Sequence, residues 1–115
     1  MKTRNGWVVV DNIRYDYDVI VHPDRSVTKR SKKKSKKLKK KFGHTPLAGH
    51  ELKFLDKEKP EVVFIGTGQY GDLPLTIDAQ RILKKYTSTI LPTPEVVDLL
   101  GSESRPFVAI LHVNC

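Results

Sequence analysis

Cysteine occurs once, as Cys115 at the last position. An intramolecular disulfide is therefore excluded, and the composition suits a reducing compartment. No apolar run approaches the ~20 residues that a membrane-spanning helix needs. Residues 1–7 carry Lys2 and Arg4 but no apolar stretch of signal-peptide length. The expectation is a soluble, cytoplasmic protein. No G-x-S-x-G or comparable nucleophile motif is present, no His/Cys spacing matches a recognised metal site, and no internal repeat appears. No cofactor is expected. A chain of 115 residues buries roughly 60–70% of its unfolded surface, enough for one core without staples, so residues 1–115 are expected to form a single domain.

Acidic residues are missing from one segment. From Lys29 to Lys41, ten of thirteen positions are Lys or Arg and none is acidic. The remaining eleven basic residues face thirteen acidic ones, so the body is slightly acidic and the overall charge of +8 belongs to the tract. Like charges at this density repel, and the segment reads as a mobile, solvated loop. Its functional reading is binding to phosphate backbones or acidic proteins, with Lys32, Lys33, Lys34, Lys36, Lys37, Lys39, Lys40 and Lys41 as candidate contacts. No aromatic residue is interleaved, so base stacking is unsupported.

Trp7–Val10 reads as an opening strand. Tyr15, Tyr17, Val19 and Val21 alternate at period two, with Asp16 and Asp18 on the opposite face. That pair of carboxylates suits acid–base work if one is buried, but a solvated strand face is the simpler expectation. Pro23-Asp-Arg-Ser26 is turn chemistry, and Val27 restarts a strand, which predicts a hairpin. Thr45-Pro46 predicts a capped helix carrying Ala48, Leu52 and Leu55, ended by Lys59-Pro60. Val62–Ile65 predicts a buried strand. Thr76 caps the next helix, whose core face is Ala79, Ile82, Leu83 and Tyr86. Ser88–Leu91 is a further strand. Thr93 caps a helix with Val96, Val97 and Leu100 apolar and Gly101 past its end. Phe107–Val113 closes the chain as a strand. Helix and strand alternate through the second half, which argues for an α/β fold with a helix-covered sheet.

The strand at Val62–Ile65 runs into Gly66-Thr-Gly-Gln-Tyr-Gly71. The C-terminal end of a buried strand is where open α/β proteins build sites. The loop formally matches G-x-G-x-x-G, but Pro74 disfavours an uninterrupted helix behind it. No acid ends the following strand to hold a ribose, so a dinucleotide reading lacks its context. Three readings remain: a tight turn that needs φ > 0; a pocket for a small anion or polar ligand formed by Gly66, Thr67, Gly68, Gln69, Tyr70, Gly71 and Thr93; or an acyl- or anion-processing site. His22, His44, His50 and His112 form no recognised motif. A three-ligand metal site from His44, His112 and Cys115 has no spacing to support it, and no metal is expected.

Several pieces occur together in order: Tyr15–Val21, His44-Thr-Pro-Leu47, Pro60-Glu-Val-Val-Phe-Ile-Gly-Thr-Gly-Gln69, the helix with Ala79 and Leu83, Thr93 before a short helix, Arg105, and the ending Val108-Ala-Ile-Leu-His-Val-Asn-Cys115. In this the chain resembles the small Mth-domain family, long described as a domain of unknown function. Relatives include adipogenesis-associated Mth-domain proteins and a mitochondrial complex I assembly factor. The resemblance covers roughly residues 13–115. It implies a compact α/β sandwich around a central mixed sheet, here with an N-terminal β-hairpin layer, and no established enzymatic activity. The last helix departs from the pattern: it reads Pro94-Glu-Val-Val-Asp-Leu-Leu100, where many relatives carry Ala-Ala and Tyr-Asn pairs. The lysine tract also exceeds the family pattern. The resulting expectation is a non-enzymatic binding or assembly module for a protein partner or small anionic ligand at the Gly66–Gly71 loop. The alternatives are a small enzyme at that loop, or a protein that holds nucleic acid non-specifically through the lysine tract.

Overall fold

The computed structural model describes residues 1–113, and the backbone alone of Lys40. Three short N-terminal strands, β1 (Lys2–Arg4), β2 (Trp7–Val10) and β3 (Ile13–Tyr15), form an antiparallel sheet. The two-residue connection Asp11-Asn12 adopts positive φ at both positions, 50° and 66°. That is the backbone of a type I′ hairpin, and Asn and Asp tolerate it best among residues with a Cβ. Strand β1 has no apolar residue to betray it. Its inward position is Thr3, whose hydroxyl donates to the Trp7 carbonyl at 3.0 Å.

A second, five-stranded sheet is ordered β5-β4-β8-β6-β7. It comprises β4 (Val19–Val21), β5 (Val27–Lys29), β6 (Val62–Gly66), β7 (Thr87–Leu91) and β8 (Phe107–Leu111). Strands β4 and β5 form the expected hairpin, and β4 runs antiparallel to β8. Strand β6 lies parallel to both β7 and β8. Both parallel connections pass through a helix: α3 (Ile77–Leu83) joins β6 to β7, and α4 (Thr93–Leu100) joins β7 to β8. Central strands β6 and β8 are buried along their whole length, which is why they read as continuous apolar runs rather than alternating ones.

Alternation in β6 and β8 divides the core in two. Val62, Phe64, Phe107, Ala109 and Leu111 face the N-terminal sheet and the Val96, Val97 and Leu100 stripe of α4. Val63, Ile65, Val108 and Ile110 face Leu52, Leu55, Ala79 and Leu83. Helices α3 and α4 therefore cover opposite faces of one sheet. Each large buried side chain contributes about 1.5–3 kcal/mol relative to its exposed state.

The predicted cap of α3 is present: Thr76 Oγ1 accepts from the Ala79 amide at 3.3 Å. The continuous helix predicted after Thr45 is not. Residues Gly49–Leu52 form a 3₁₀ turn, and α2 is confined to Leu55–Glu58. Leu47 pairs with Leu75 in an isolated parallel bridge, donating to Pro74 O at 2.9 Å and accepting from Thr76 N at 3.0 Å. That extended bridge holds residue 47 out of any helix, so the chain turns helical only after Ala48. Thr93 is also not a cap. It is the first residue of α4, Pro92 takes the cap position, and the Thr93 hydroxyl is used elsewhere. The lysine tract is not a featureless loop either. Ser35–Leu38 forms a 3₁₀ turn that passes into α1 (Lys39–Phe42), which Gly43 ends in the left-handed region at φ 77°.

Candidate functional site

The chemistry of this chain concentrates around Arg30, a residue that composition assigns to the solvated tract. Its side chain is buried and donates four hydrogen bonds. Nε and Nη2 donate to the two oxygens of Glu51 at 2.6 and 3.0 Å, Nη1 to Asp18 Oδ2 at 2.8 Å, and Nη2 also to the Pro46 carbonyl at 2.9 Å. The planar guanidinium matches a carboxylate in this bidentate way, which a lysine ammonium would not.

Asp18 corrects the solvated-face expectation. Asp16 is exposed and pairs with Arg14, but Asp18 is buried. The chain bends between β3 and β4, so the period-two pattern does not run through residues 16–18. Asp18 Oδ1 accepts from the Val113 amide at 2.9 Å. Its Oδ2 accepts from His112 Nδ1 at 2.7 Å and Arg30 Nη1 at 2.8 Å, with Lys32 Nζ at 3.2 Å. Burial alone would raise the carboxyl pKa. The hydrogen bond and charge of His112, the Val113 amide and Lys32 outweigh it and hold Asp18 at about 2. Burial is likewise overcome at Glu51, whose pKa is lowered by Arg30, by the Ser35 hydroxyl at 2.6 Å and by the Ala48 amide at 2.9 Å. The Arg30 pKa is raised in turn, because Glu51 and Asp18 outweigh its desolvation. Asp18 and His112 stand 94 positions apart in sequence, and no local pattern signals their pairing. One sequence cue was available: Arg30 is the only arginine among the lysines of the tract.

The Gly66–Gly71 loop does stand at the C-terminal end of β6, where α3 and α4 diverge to opposite faces. Its polar groups are largely spent on the fold. Thr93 Oγ1 accepts from the Gly68 amide at 2.8 Å and donates to the His112 carbonyl at 2.7 Å. A Cβ on Gly66 would meet that same hydroxyl at 2.8 Å. Gly68 has φ +99°, and a Cβ there would lie 2.8 Å from the His112 ring. The loop thus meets both the turn reading and the close-approach reading, with protein as the group approached. Thr67 is buried, and its amide donates to Leu91 O at 2.9 Å. Tyr70 is exposed. Gly71, at φ 77°, has its amide 3.3 Å from Gly68 O. Gln69, whose Oε1 is buried without a hydrogen-bond partner, lines with Gly68, Tyr70 and His112 a cavity of about 40 Å³. That is close to the ~30 Å³ share of one water and too small for a metabolite. The dinucleotide reading fails on the backbone as well, because the helix that follows the loop does not begin until Ile77.

Two more spacious concavities flank Arg30. A cleft of about 520 Å³ is walled by Tyr17, Lys29, Lys32, Lys33 and Lys36 with Asp18 at its floor. A second, of about 390 Å³, lies on the other side of the Lys29–Lys34 segment and reaches His50 and Glu51. Both acids are already bonded to Arg30, so the charge left uncompensated at these walls is positive. Lys29 Nζ lies 5.0 Å from the centre of the Tyr17 ring. Lys33, Lys34, Lys36, Lys37, Lys39 and Lys41 are exposed. The side chain of Lys40 lies outside what the structure describes.

The three ligands of the metal reading are not brought together by what can be seen. His44 is half-buried and His112 is committed to Asp18, while Cys115 lies outside the described residues. Among the described residues no group of three or more His, Cys, Asp or Glu side chains is placed to hold a metal. No helix among them is long and apolar enough to cross a membrane.

Two sheets sharing a core, with helices on opposite faces of the mixed one, define a small α/β protein of sandwich type. No protein-family model matches the chain, and no curated protein does. Solved structures do. The chain is similar to MT938, with 34% identity over all of this chain and 96% of that one and a TM-score of 0.77. It is also similar to the conserved hypothetical protein PH1505 from Pyrococcus horikoshii OT3, at 30% identity over 100% and 98% of the two chains and a TM-score of 0.86. A Mth938-like domain from Bordetella pertussis shares the fold at 21% identity, over 96% of this chain and 82% of that one, and a TM-score of 0.51. The chain belongs to the Mth938-like domain family, as its sequence resemblance implied.

Proposed function

We propose that this protein is a binding module that holds the phosphate backbone of nucleic acid, without reading sequence, in the basic cleft beside Arg30. The observation that carries the reading is the wall of that cleft: Lys29, Lys33 and Lys36 line it, while its one carboxylate, Asp18, is already neutralised from within. Lysines are depleted at the cores of protein–protein interfaces, whereas nucleic-acid interfaces are strongly basic and polar. That contrast favours phosphate over an acidic protein. The Gly66–Gly71 loop is the weaker candidate, since its space admits about one water and Thr93 is committed to the backbone. With only Tyr17 offering a ring at the cleft, the mode is backbone contact, not base stacking.

The test is a fluorescence-anisotropy titration with two unrelated single-stranded DNA sequences, their duplexes, and polyglutamate. Equal affinity for the unrelated sequences is expected, with at least a tenfold loss when Lys33, Lys34, Lys36 and Lys37 are changed together to Ser. Polyglutamate bound as tightly as DNA of equal charge would move the assignment to an acidic protein partner. No binding at low salt would remove it.

A further inference from the structure

His22, which matches no sequence motif, occupies the middle of a three-residue relay at the turn end of the β4–β5 hairpin, where the basic cleft does not reach. Its Nδ1 lies 2.6 Å from Glu58 Oε1, and its Nε2 lies 2.7 Å from the Thr28 hydroxyl. The three residues come from different elements: His22 follows β4, Thr28 lies on the edge strand β5, and Glu58 ends α2. Phe54 packs edge-on against the imidazole with centroids 5.9 Å apart, which fixes the ring plane. The His22 and Glu58 side chains are 17% and 25% exposed, so the relay is sheltered but reachable. It opens on a concavity of about 490 Å³ that Asp24 and Ser26 also line.

We propose that Thr28, His22 and Glu58 form an acyl-transfer site in which Thr28 is the nucleophile, His22 the general base, and Glu58 the positioning residue. The distances meet the geometric requirement of a nucleophile within hydrogen-bond reach of a base that a third group orients. A carboxylate on Nδ1 selects the tautomer with a proton there, which leaves the Nε2 lone pair facing the Thr28 hydroxyl. In the first half-reaction the Thr28 Oγ–acyl carbon bond forms and the ester carbon–oxygen bond breaks. The hydroxyl proton passes to His22 Nε2 and then to the leaving alkoxide, giving an alcohol. In the second, water attacks the acyl-threonine with His22 again as base, releasing a carboxylic acid and restoring the hydroxyl.

The surroundings define the substrate class. Ser26 donates to Asp24 through its amide at 2.9 Å and its hydroxyl at 2.6 Å, which keeps the Asp24 pKa below its ordinary value. Asp24 and Glu58 thus make the walls of the concavity anionic, with no lysine or arginine among its lining residues. A neutral or cationic acyl ester fits, while a carboxylate- or phosphate-bearing substrate is repelled. The turn supplies no oxyanion hole. The Arg25 amide donates to His22 O at 2.8 Å, and the Ser26 amide is held by Asp24. The acceleration expected is therefore that of a general base, ~10²–10⁴-fold, without the further contribution of preorganised donors.

The experiment incubates the full chain with p-nitrophenyl acetate. It follows p-nitrophenol release against pH and maps acetylated residues by mass spectrometry before and after hydroxylamine. Hydroxylamine cleaves the threonine ester but leaves acetyl-lysine amides. Expected are a hydroxylamine-sensitive acetyl on Thr28 and a release rate that rises with pH. Thr28→Val should lose at least tenfold in rate, Thr28→Ser should retain or exceed it, and Glu58→Gln should lower it while moving the pH midpoint. Thr28 is exposed on an edge strand, so Thr28→Val is expected to fold, and a circular dichroism melt checks that it does. Acetylation confined to lysines and the N-terminus, with Thr28→Val releasing p-nitrophenol as fast as the parent, would overturn the proposal and leave the relay as a strut between α2 and the hairpin.

Discussion

Arg30 differs from its lysine neighbours in what its loss would leave behind. Asp18 and Glu51 reach it from opposite sides, and both are shielded from water. Removing one partner of a buried ion pair strands the other charge, at a cost of about 3–5 kcal/mol. Arg30→Met should therefore lose about that much stability in urea unfolding, while Lys33→Ser, an exposed neighbour, should stay within about 0.5 kcal/mol of the parent. The same centre sets the acid limit. Asp18 sits at about 2 when folded, against an ordinary value of 3.8. A carboxyl whose pKa is lowered by folding contributes stability that is present above its unfolded pKa and lost as pH falls through the folded one. Stability should thus decline between about pH 4 and pH 2, by about 2 kcal/mol from Asp18 alone at 1.36 kcal/mol per unit. Glu51 acts in the same direction. Urea midpoints measured across that window check the prediction, and Asp18→Asn should flatten the decline. An unchanged slope in that variant would place the acid sensitivity elsewhere.

At the scale of elements, the lysine tract separates into a rooted part and a free part. Arg30, Lys32 and Ser35 reach the ionic centre, Ser35 through Glu51 at 2.6 Å, while α1 beyond them packs little. Replacing residues 36–42 with a short Gly/Ser linker should leave cooperative thermal unfolding intact, because loop closure changes by only ~1 kcal/mol or less. Extending the replacement back through Ser35 should cost about 1 kcal/mol more for the lost hydrogen bond, and back through Arg30 should abolish the cooperative transition. Calorimetry on the three variants gives the ranking. Equal melting behaviour in all three would refute the rooted part. The contrast also explains what was legible beforehand. Strands β6, β7 and β8 and helices α3 and α4 carry their own hydrophobic period or cap, so local pattern predicts them. Strand β1 has only Thr3 facing inward, and the failure of the helix after Thr45 depends on Leu75, which is 28 residues from Leu47 in sequence. Of the candidate site, the lysines were legible from composition. The burial of Arg30 and Asp18 was not, because each depends on partners that only the tertiary fold supplies.

The whole molecule sets two opposing fields at close quarters. The tract carries ten positive charges, and the rest of the chain carries a net −2. The molecule extends 36 × 30 × 20 Å, while the Debye length is about 10 Å at 0.1 M salt. An anion at the cleft therefore feels Lys29, Lys33 and Lys36 strongly and most of the acidic body hardly at all. Below about 0.01 M the Debye length reaches about 30 Å, and the body begins to oppose binding. The salt dependence of duplex DNA binding should follow from the lysines alone. With roughly three to five phosphates neutralised, log K against log salt should fall with a slope of about −3 to −4.5, each phosphate contributing about −0.9. Between about 50 and 200 mM salt the affinity then drops about 10²-fold. Changing Lys33, Lys34, Lys36 and Lys37 to Ser should make the slope markedly shallower, since it removes four of the ten positive charges of the tract. Single-stranded DNA should give a shallower slope at the same contacts, about −0.7 per phosphate. The measurement is anisotropy at a series of salt concentrations with both substrates. A slope near zero in the parent, or a steep slope that survives the four substitutions, would show that the lysines are not where the phosphates sit.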